Sequence, residues 1–224
     1  MKILIAKHIE SEGPGTLGTF IESEGAKLHV VNLHNSEHLP DNPGSFDAIV
    51  SMGGPMNVYE DEKYPFLKRE TEFLRKALES NIPVLGICLG AQMIARASNA
   101  QVVKSPMSEL GWGTVTLTRD GKSDLFFQSI PSTFEVFQWH GDMFHVPDEG
   151  KLLASGSDCP NQAFRVGTAF GVQFHVEVTR DMLKEWFLDS PQLPEMLLRY
   201  DEIFDGLYRN AVTIYRNFVD IING

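Results

Sequence analysis

The chain is short of cysteine, of positive charge and of long apolar runs, and each shortage excludes something. Two cysteines, Cys88 and Cys159, stand far apart among 224 residues with no C-x-x-C spacing, so neither a zinc site nor a disulfide framework is written into the sequence. Nineteen basic residues against thirty acidic ones leave a formal charge of −11, the wrong sign for a nucleic-acid surface. No apolar run is long enough to span a bilayer, and Met1-Lys2-Ile3-Leu4-Ile5-Ala6 is too short for a signal peptide and reads as a first strand. A reducing cytoplasm is the expected compartment. Internal repeats, low-complexity tracts and a convincing linker are also missing, so residues 1–224 read as one domain, with 179–224 as its helical extension.

What is present alternates between strand-like and helical patterns, the mark of an α/β fold with an open, mostly parallel twisted sheet and helices on both faces. A helix is expected from Thr16 to Glu24, then strands at Lys27–Asn32 and Phe46–Met52. Pro65 opens a helix whose apolar face carries Phe66, Leu67, Phe73, Leu74, Ala77 and Leu78, and Pro83 limits it. Trp112–Thr118, Phe134–Trp139 and Leu152–Ser155 are strand candidates. Phe164–Phe170 reads as a hairpin turning at Gly167-Thr168. From Thr179 the pattern is helical, broken near Ser190-Pro191 and Pro194. Its stripe from Leu193 to Val212 is expected to pack on the domain rather than to dock a partner.

Val84-Leu85-Gly86-Ile87-Cys88-Leu89-Gly90-Ala91-Gln92 carries the chemistry. An apolar strand ends at a cysteine and turns directly into a helix, which is the layout of a nucleophile elbow. Glycines two residues before and after Cys88 remove side chains that would collide across so tight a turn. The helix N-terminus favours thiolate over thiol. Further along, in Phe170–Val178, strand periodicity puts His175 and Glu177 on one face, where the carboxylate can orient the imidazole and complete a Cys-His-Glu triad. A third strand ends in Gly53-Gly54-Pro55. There the N–H of Gly54, with that of Leu89, can form an oxyanion hole.

Gly53-Gly54-Pro55, the Cys88 elbow, Trp139-His140-Gly141-Asp142 and Gly171–Glu177 occur in an order that resembles the class I glutamine amidotransferases, nearest to the GMP-synthase-like group. The resemblance covers most of residues 1–180 and implies that family's flavodoxin-like sheet. It implies Cys88 as nucleophile, His175 as general base and acid, Glu177 as its orienting partner, and Gly54 with Leu89 as oxyanion donors. It further implies that Gln92 binds the amino-acid end of the substrate, and that Gly53, His140 and Gly141 help frame the glutamine pocket. Val176 departs from the pattern, standing where many members have proline. Valine suits a strand, so little effect on the triad is expected.

Two other motif matches are set aside. Gly13-Pro14-Gly15-Thr16-Leu17-Gly18 fits G-x-G-x-x-G, but Lys7–Glu12 separate it from the preceding strand, so it reads as a loop and helix start. His34-Asn35-Ser36-Glu37-His38 fits H-x-x-E-H, but Pro40 and Pro43 leave room for only a very short helix, so a solvated loop is expected. No metal and no cofactor is expected. The implied activity is hydrolysis of the glutamine side-chain amide through a glutamyl thioester, releasing ammonia and glutamate. Residues 179–224 are too few for a synthetase domain, and no G-x-x-x-x-G-K-[ST] loop is present, so either a separate synthase subunit or water accepts the ammonia. A γ-glutamyl hydrolase or peptidase could use the same triad. A non-catalytic, cysteine-sensing α/β protein is the alternative from another class, disfavoured by His175 and Glu177.

Overall fold

Short runs buried on every residue make the centre of the sheet. In the computed structural model, which describes residues 1–224, strands β1 (Lys2–Lys7), β2 (Lys27–Asn32), β3 (Ala48–Ser51), β4 (Val84–Ile87) and β9 (Ala169–Val172) pair in parallel in the order β2-β1-β3-β4-β9. β3, β4 and β9 are buried throughout, as expected where helices cover both faces, whereas β2 is an edge strand and exposes Lys27, His29 and Val30. Beyond β9 the sheet continues antiparallel through β8 (Ala163–Val166), β7 (Lys151–Ser155), β5 (Val102–Leu117) and β6 (Thr133–Phe144).

Alternation in β1 divides the core. Ile3 and Ile5 pack with Leu17, Phe20 and Ile21 of α1 (Gly15–Ser23) and with Ile214 and Phe218 of α6 (Leu193–Asn223), whereas Leu4 and Ala6 face Leu67 and Phe73 of α2 (Phe66–Glu79) and Met93 of α3 (Leu89–Ala97). A smaller cluster joins α5 (Arg180–Trp186) to the first half of α6 around Phe137. The remaining helix, α4 (Arg119–Ser123), is short and capped by Thr118. No helix is long and apolar enough to cross a membrane.

Most elements fall where the pattern placed them, and four features differ. The antiparallel hairpin β5–β6 is longer at both strands than expected, because the added residues of β5 are mostly exposed or half-exposed and the added buried positions of β6 include the polar His140 and Asp142, so neither carries clear apolar alternation. Pro194 does not break a helix; it occupies the first turn of α6, where no intrahelical N–H is needed. β9 stops at Val172, so His175 and Glu177 lie beyond the strand. Only an isolated antiparallel bridge between Phe137 and His175 continues the pairing, fixed by two hydrogen bonds of 3.0 and 2.8 Å. The C-terminal stripe also divides: Met196, Tyr200, Ile203 and Leu207 are buried, while Phe204 and Tyr208 are exposed and stack on each other.

The elbow is steric in origin. A Cβ on Gly86 would stand 2.5 Å from the Gly90 backbone, across the turn, as the spacing implied. A Cβ on Gly90 would instead meet the Ser51 carbonyl oxygen of β3 at 2.0 Å, so Gly90 lets α3 sit down on the neighbouring strand. Gly90→Ala is therefore expected to cost about 3 kcal/mol or more. Gly206→Ala, in open space on α6, is expected to stabilise by up to about 1 kcal/mol. Denaturant unfolding of the two variants checks both signs.

Candidate active site

Residues singled out by sequence, and others that were not, converge at the carboxyl ends of the parallel strands. β1 leads to His8 and Glu12, β3 to Gly53 and Gly54, β4 to Cys88, and β9 to Gln173 and His175. The chain leaves β1 outward to β2 and returns to the other side as β3, so this edge is a topological switch point, where open α/β sheets place their ligands.

Cys88 caps α3 with φ 52° and ψ −106°, a conformation that non-glycine residues rarely adopt and that stores roughly 1–3 kcal/mol of strain. The turn is held by Cys88 N–H donating to the Val172 carbonyl at 2.8 Å and Gly90 N–H donating to the Met52 carbonyl at 3.0 Å. Cys88 Sγ lines a cavity of about 420 Å³, together with Glu12, Gly54, Leu89, Gln92 and His140. Its other near polar neighbours are the Trp139 carbonyl and Gln173 Nε2, each 3.7 Å from the sulfur. Cys159, the second cysteine, is also unpaired and buried, and burial pushes its thiol up.

Behind Cys88 lies the histidine–carboxylate pair. His175 Nδ1 is 2.6 Å from Glu177 Oε1, and Glu177 Oε2 accepts the Val176 N–H at 3.0 Å. Both residues are almost fully buried. They meet without the strand geometry that the spacing suggested: a bent segment anchored to β6 brings them together, and Val176 tolerates it. Burial opposes the imidazolium, but the charge of Glu177 and hydrogen bonding to Cys88 and Glu177 outweigh it, so His175 titrates well above the ordinary histidine range. Trp186 of α5 packs edge-on against the imidazole and its indole N–H donates to the Ser11 carbonyl, closing that side.

Two backbone donors face the same cavity. Leu89, at the first position of α3, and Gly54, in the turn after β3, make no backbone hydrogen bond through N–H within the chain, and both line the cavity with Cys88. The Gly54 donor is aimed by residues that the sequence reading missed. His8 Nδ1 bonds the Gly53 carbonyl at 3.0 Å, and in a planar trans peptide the Gly54 N–H must then point the opposite way. Glu70 of α2 takes His8 Nε2 at 2.7 Å and the Ser51 hydroxyl at 2.7 Å. Burial disfavours the His8 cation, but Glu70 and the Gly53 carbonyl outweigh it and raise its pKa. One signal was available: Glu70 is a fully buried charge on the otherwise apolar face of α2. Gly53 itself does not line the cavity; it stands one residue back with its carbonyl turned to His8.

Gln92, His140 and Gly141, the other residues expected to bind substrate, all line the cavity. Gln92 Nε2 donates to the Asp142 carbonyl and to Gln173 Oε1, each at 3.2 Å, which leaves Gln92 Oε1 to accept from a ligand. His140 and Gly141 line the opposite wall from β6. His140 Nε2 lies 3.0 Å from Glu109 Oε2, and these two with Cys159 place three possible metal-ligating atoms within 4.8 Å of one another. Gln138 and Gln162 already bond that histidine and carboxylate, and burial holds Cys159 towards the thiol form, so the cluster fits a hydrogen-bonded wall better than a metal centre. The rejected H-x-x-E-H residues stay apart: His34 pairs with Glu10 and His38 with Arg69. The rejected glycine pattern has a different use. Thr16 N–H donates to the Glu177 carbonyl at 2.9 Å, and Gly15, at φ +47°, has that oxygen where a Cβ would be.

Comparison with known proteins gives the family and the fold. The model of the class I glutamine amidotransferase family matches residues 18–189. A glutamine amidotransferase-like protein, YfeJ, of Salmonella typhimurium is 30% identical over 196 residues, covering 86% of this chain and 82% of that protein. The glutamine-hydrolysing GMP synthase of Thermosipho africanus is 36% identical over 146 residues, but this chain covers 64% of its own length and only 26% of the synthase. Among solved structures, a glutamine amidotransferase from Thermotoga maritima superposes with a TM-score of 0.90 at 30% identity, covering 98% of both chains. One from Methylobacillus flagellatus gives 0.91 at 27% identity, over 98% of this chain and 94% of that one.

Proposed function

Since the chain belongs to the class I glutamine amidotransferase family, whose members hydrolyse the amide of glutamine, we propose that Cys88, His175 and Glu177 carry out that hydrolysis here through a glutamyl thioester. The observation that carries this reading is the pair of free N–H groups, Gly54 and Leu89, facing the same cavity as a strained Cys88. Cys88 sulfur attacks the side-chain carbonyl carbon, and the developing oxyanion takes the two N–H groups. His175, held by Glu177, protonates the nitrogen, and the C–N bond breaks to release ammonia. Water activated by the same histidine then attacks the thioester, freeing glutamate and the cysteine. Gln92 Oε1 receives the substrate's α-ammonium, and the backbone around His140 and Gly141 frames its amino-acid end.

Residues 1–224 act as one domain in this proposal, because α6 covers the sheet face shared with α1 and also carries α5 over His175. A cytoplasmic setting is part of the proposal, supported by a chain with only two cysteines, far apart in sequence. We place the ammonia acceptor on a separate synthase partner, supported by a match that covers only 26% of a GMP synthase's length. Steady-state assay with glutamine and with γ-glutamyl peptides, with and without cell extract, tests the choice. Glutaminase activity that extract raises supports the amidotransferase. Efficient peptide cleavage, with glutamine activity that extract cannot raise, overturns it in favour of a γ-glutamyl peptidase.

A further inference from the structure

Glu12 is an ionisable side chain of the cavity with no assigned task and no partner in the chain. It is 8% exposed, lines the cavity with Cys88, Gly54 and Leu89, and its carboxylate makes no hydrogen bond to any group of the chain. A nearly buried carboxylate that opens onto the cavity and takes no donor from the chain is free to accept one from a ligand. Its position says which part of the ligand. A Cβ on Gly53 would stand 2.2 Å from Glu12 Oε2 and 3.1 Å from His175 Cε1, so the carboxylate and the imidazole close over the same bare glycine. Glu12 thus stands beside His175, on the imidazole side of the cavity. The Gly54 and Leu89 N–H groups, which take the oxygen of the scissile group, leave that side to its nitrogen.

We propose that Glu12 accepts an N–H from the scissile carboxamide and holds the nitrogen as it leaves, making the site selective for an unsubstituted amide. The proposal rests on the glutamine-hydrolysing reading and deepens it. In the acylation step the Cys88 S–C bond forms, the C–N bond breaks, and the proton that left the thiol passes through His175 to the nitrogen. The nitrogen departs as ammonia, two of its hydrogens having come from the amide. Glu12 takes no proton; as a carboxylate it accepts one of those N–H bonds throughout. The charged groups facing it are His175, Glu177 and His8. Burial raises its carboxyl, the Glu177 charge adds to this, and the two histidines act against it.

An ester of the same acid separates this role from a structural one, because its leaving oxygen offers no N–H yet it forms the same thioester. kcat/KM for L-glutamine and for L-glutamate γ-methyl ester are to be compared in the wild type, Glu12→Gln and Glu12→Ala, since this ratio reports acylation and is blind to the shared deacylation. The loss of one charged hydrogen bond lowers glutamine kcat/KM by roughly 10- to 100-fold, with the amide-to-ester ratio falling by a similar factor in both variants. Equal losses on amide and ester, or glutamine activity unchanged in both variants, would overturn the assignment while leaving the glutaminase intact. A wild type that cleaves the ester but not glutamine would overturn both it and the reading it rests on.

Discussion

Cys88→Ala is expected to lower glutamine hydrolysis at least about 10⁴-fold, to the background that binding and the oxyanion donors alone support. The fold should survive, because the variant keeps a Cβ and only that, in a turn held by backbone hydrogen bonds from Cys88 to Val172 and from Gly90 to Met52. The loss is thereby separable from unfolding by circular dichroism and thermal melting of the same preparation. Retention of more than a tenth of the wild-type rate would remove Cys88 from the chemistry.

The second large effect is a split within the histidine–carboxylate pair. His175→Ala should abolish thioester formation, because His175 is the group that carries the thiol proton to the departing nitrogen. Glu177→Gln should slow turnover by about 10²- to 10⁴-fold with acylation still detectable, since the carboxylate orients the ring and supports its positive charge without taking the proton. The raised titration of His175 depends on that charge, so Glu177→Gln should also shift the imidazole pKa down, measurable by NMR titration of the histidines. Near-wild-type turnover in either variant, or an unchanged His175 titration in Glu177→Gln, would contradict the pairing seen at 2.6 Å.

Strand runs and glycine positions were legible because each has a local cause. Val84–Ile87 is buried on every residue, and Gly86 faces a backbone that only a residue lacking Cβ can approach. His175 and Glu177 were legible as a pair for a reason that proved incidental. Their spacing of two suggested a strand face, whereas a bridge to Phe137 and the Val176 N–H bring them together. What remained hidden depends on distant contacts. His8 and Glu70 are 62 positions apart, and nothing in either segment announces that one peptide plane after β3 rests on both. The Gly13–Gly18 pattern likewise gave up its purpose only when α1 was seen to bind the Glu177 carbonyl. The extent of β5 and β6 is hidden in the sequence because the added part of β5 is mostly exposed or half-exposed and the added part of β6 buries His140 and Asp142, so apolar periodicity is weak in both.

The central claim is that Cys88 carries a glutamyl group during turnover. The most direct measurement is peptide mass spectrometry of the protein quenched in acid while it consumes glutamine, using Glu177→Gln to let the thioester accumulate. The expected result is a glutamyl adduct on the peptide containing Cys88, discharged by neutral hydroxylamine and absent from Cys88→Ala. Ammonia released at the same rate with no adduct on Cys88, or with the adduct on Cys159, would contradict it.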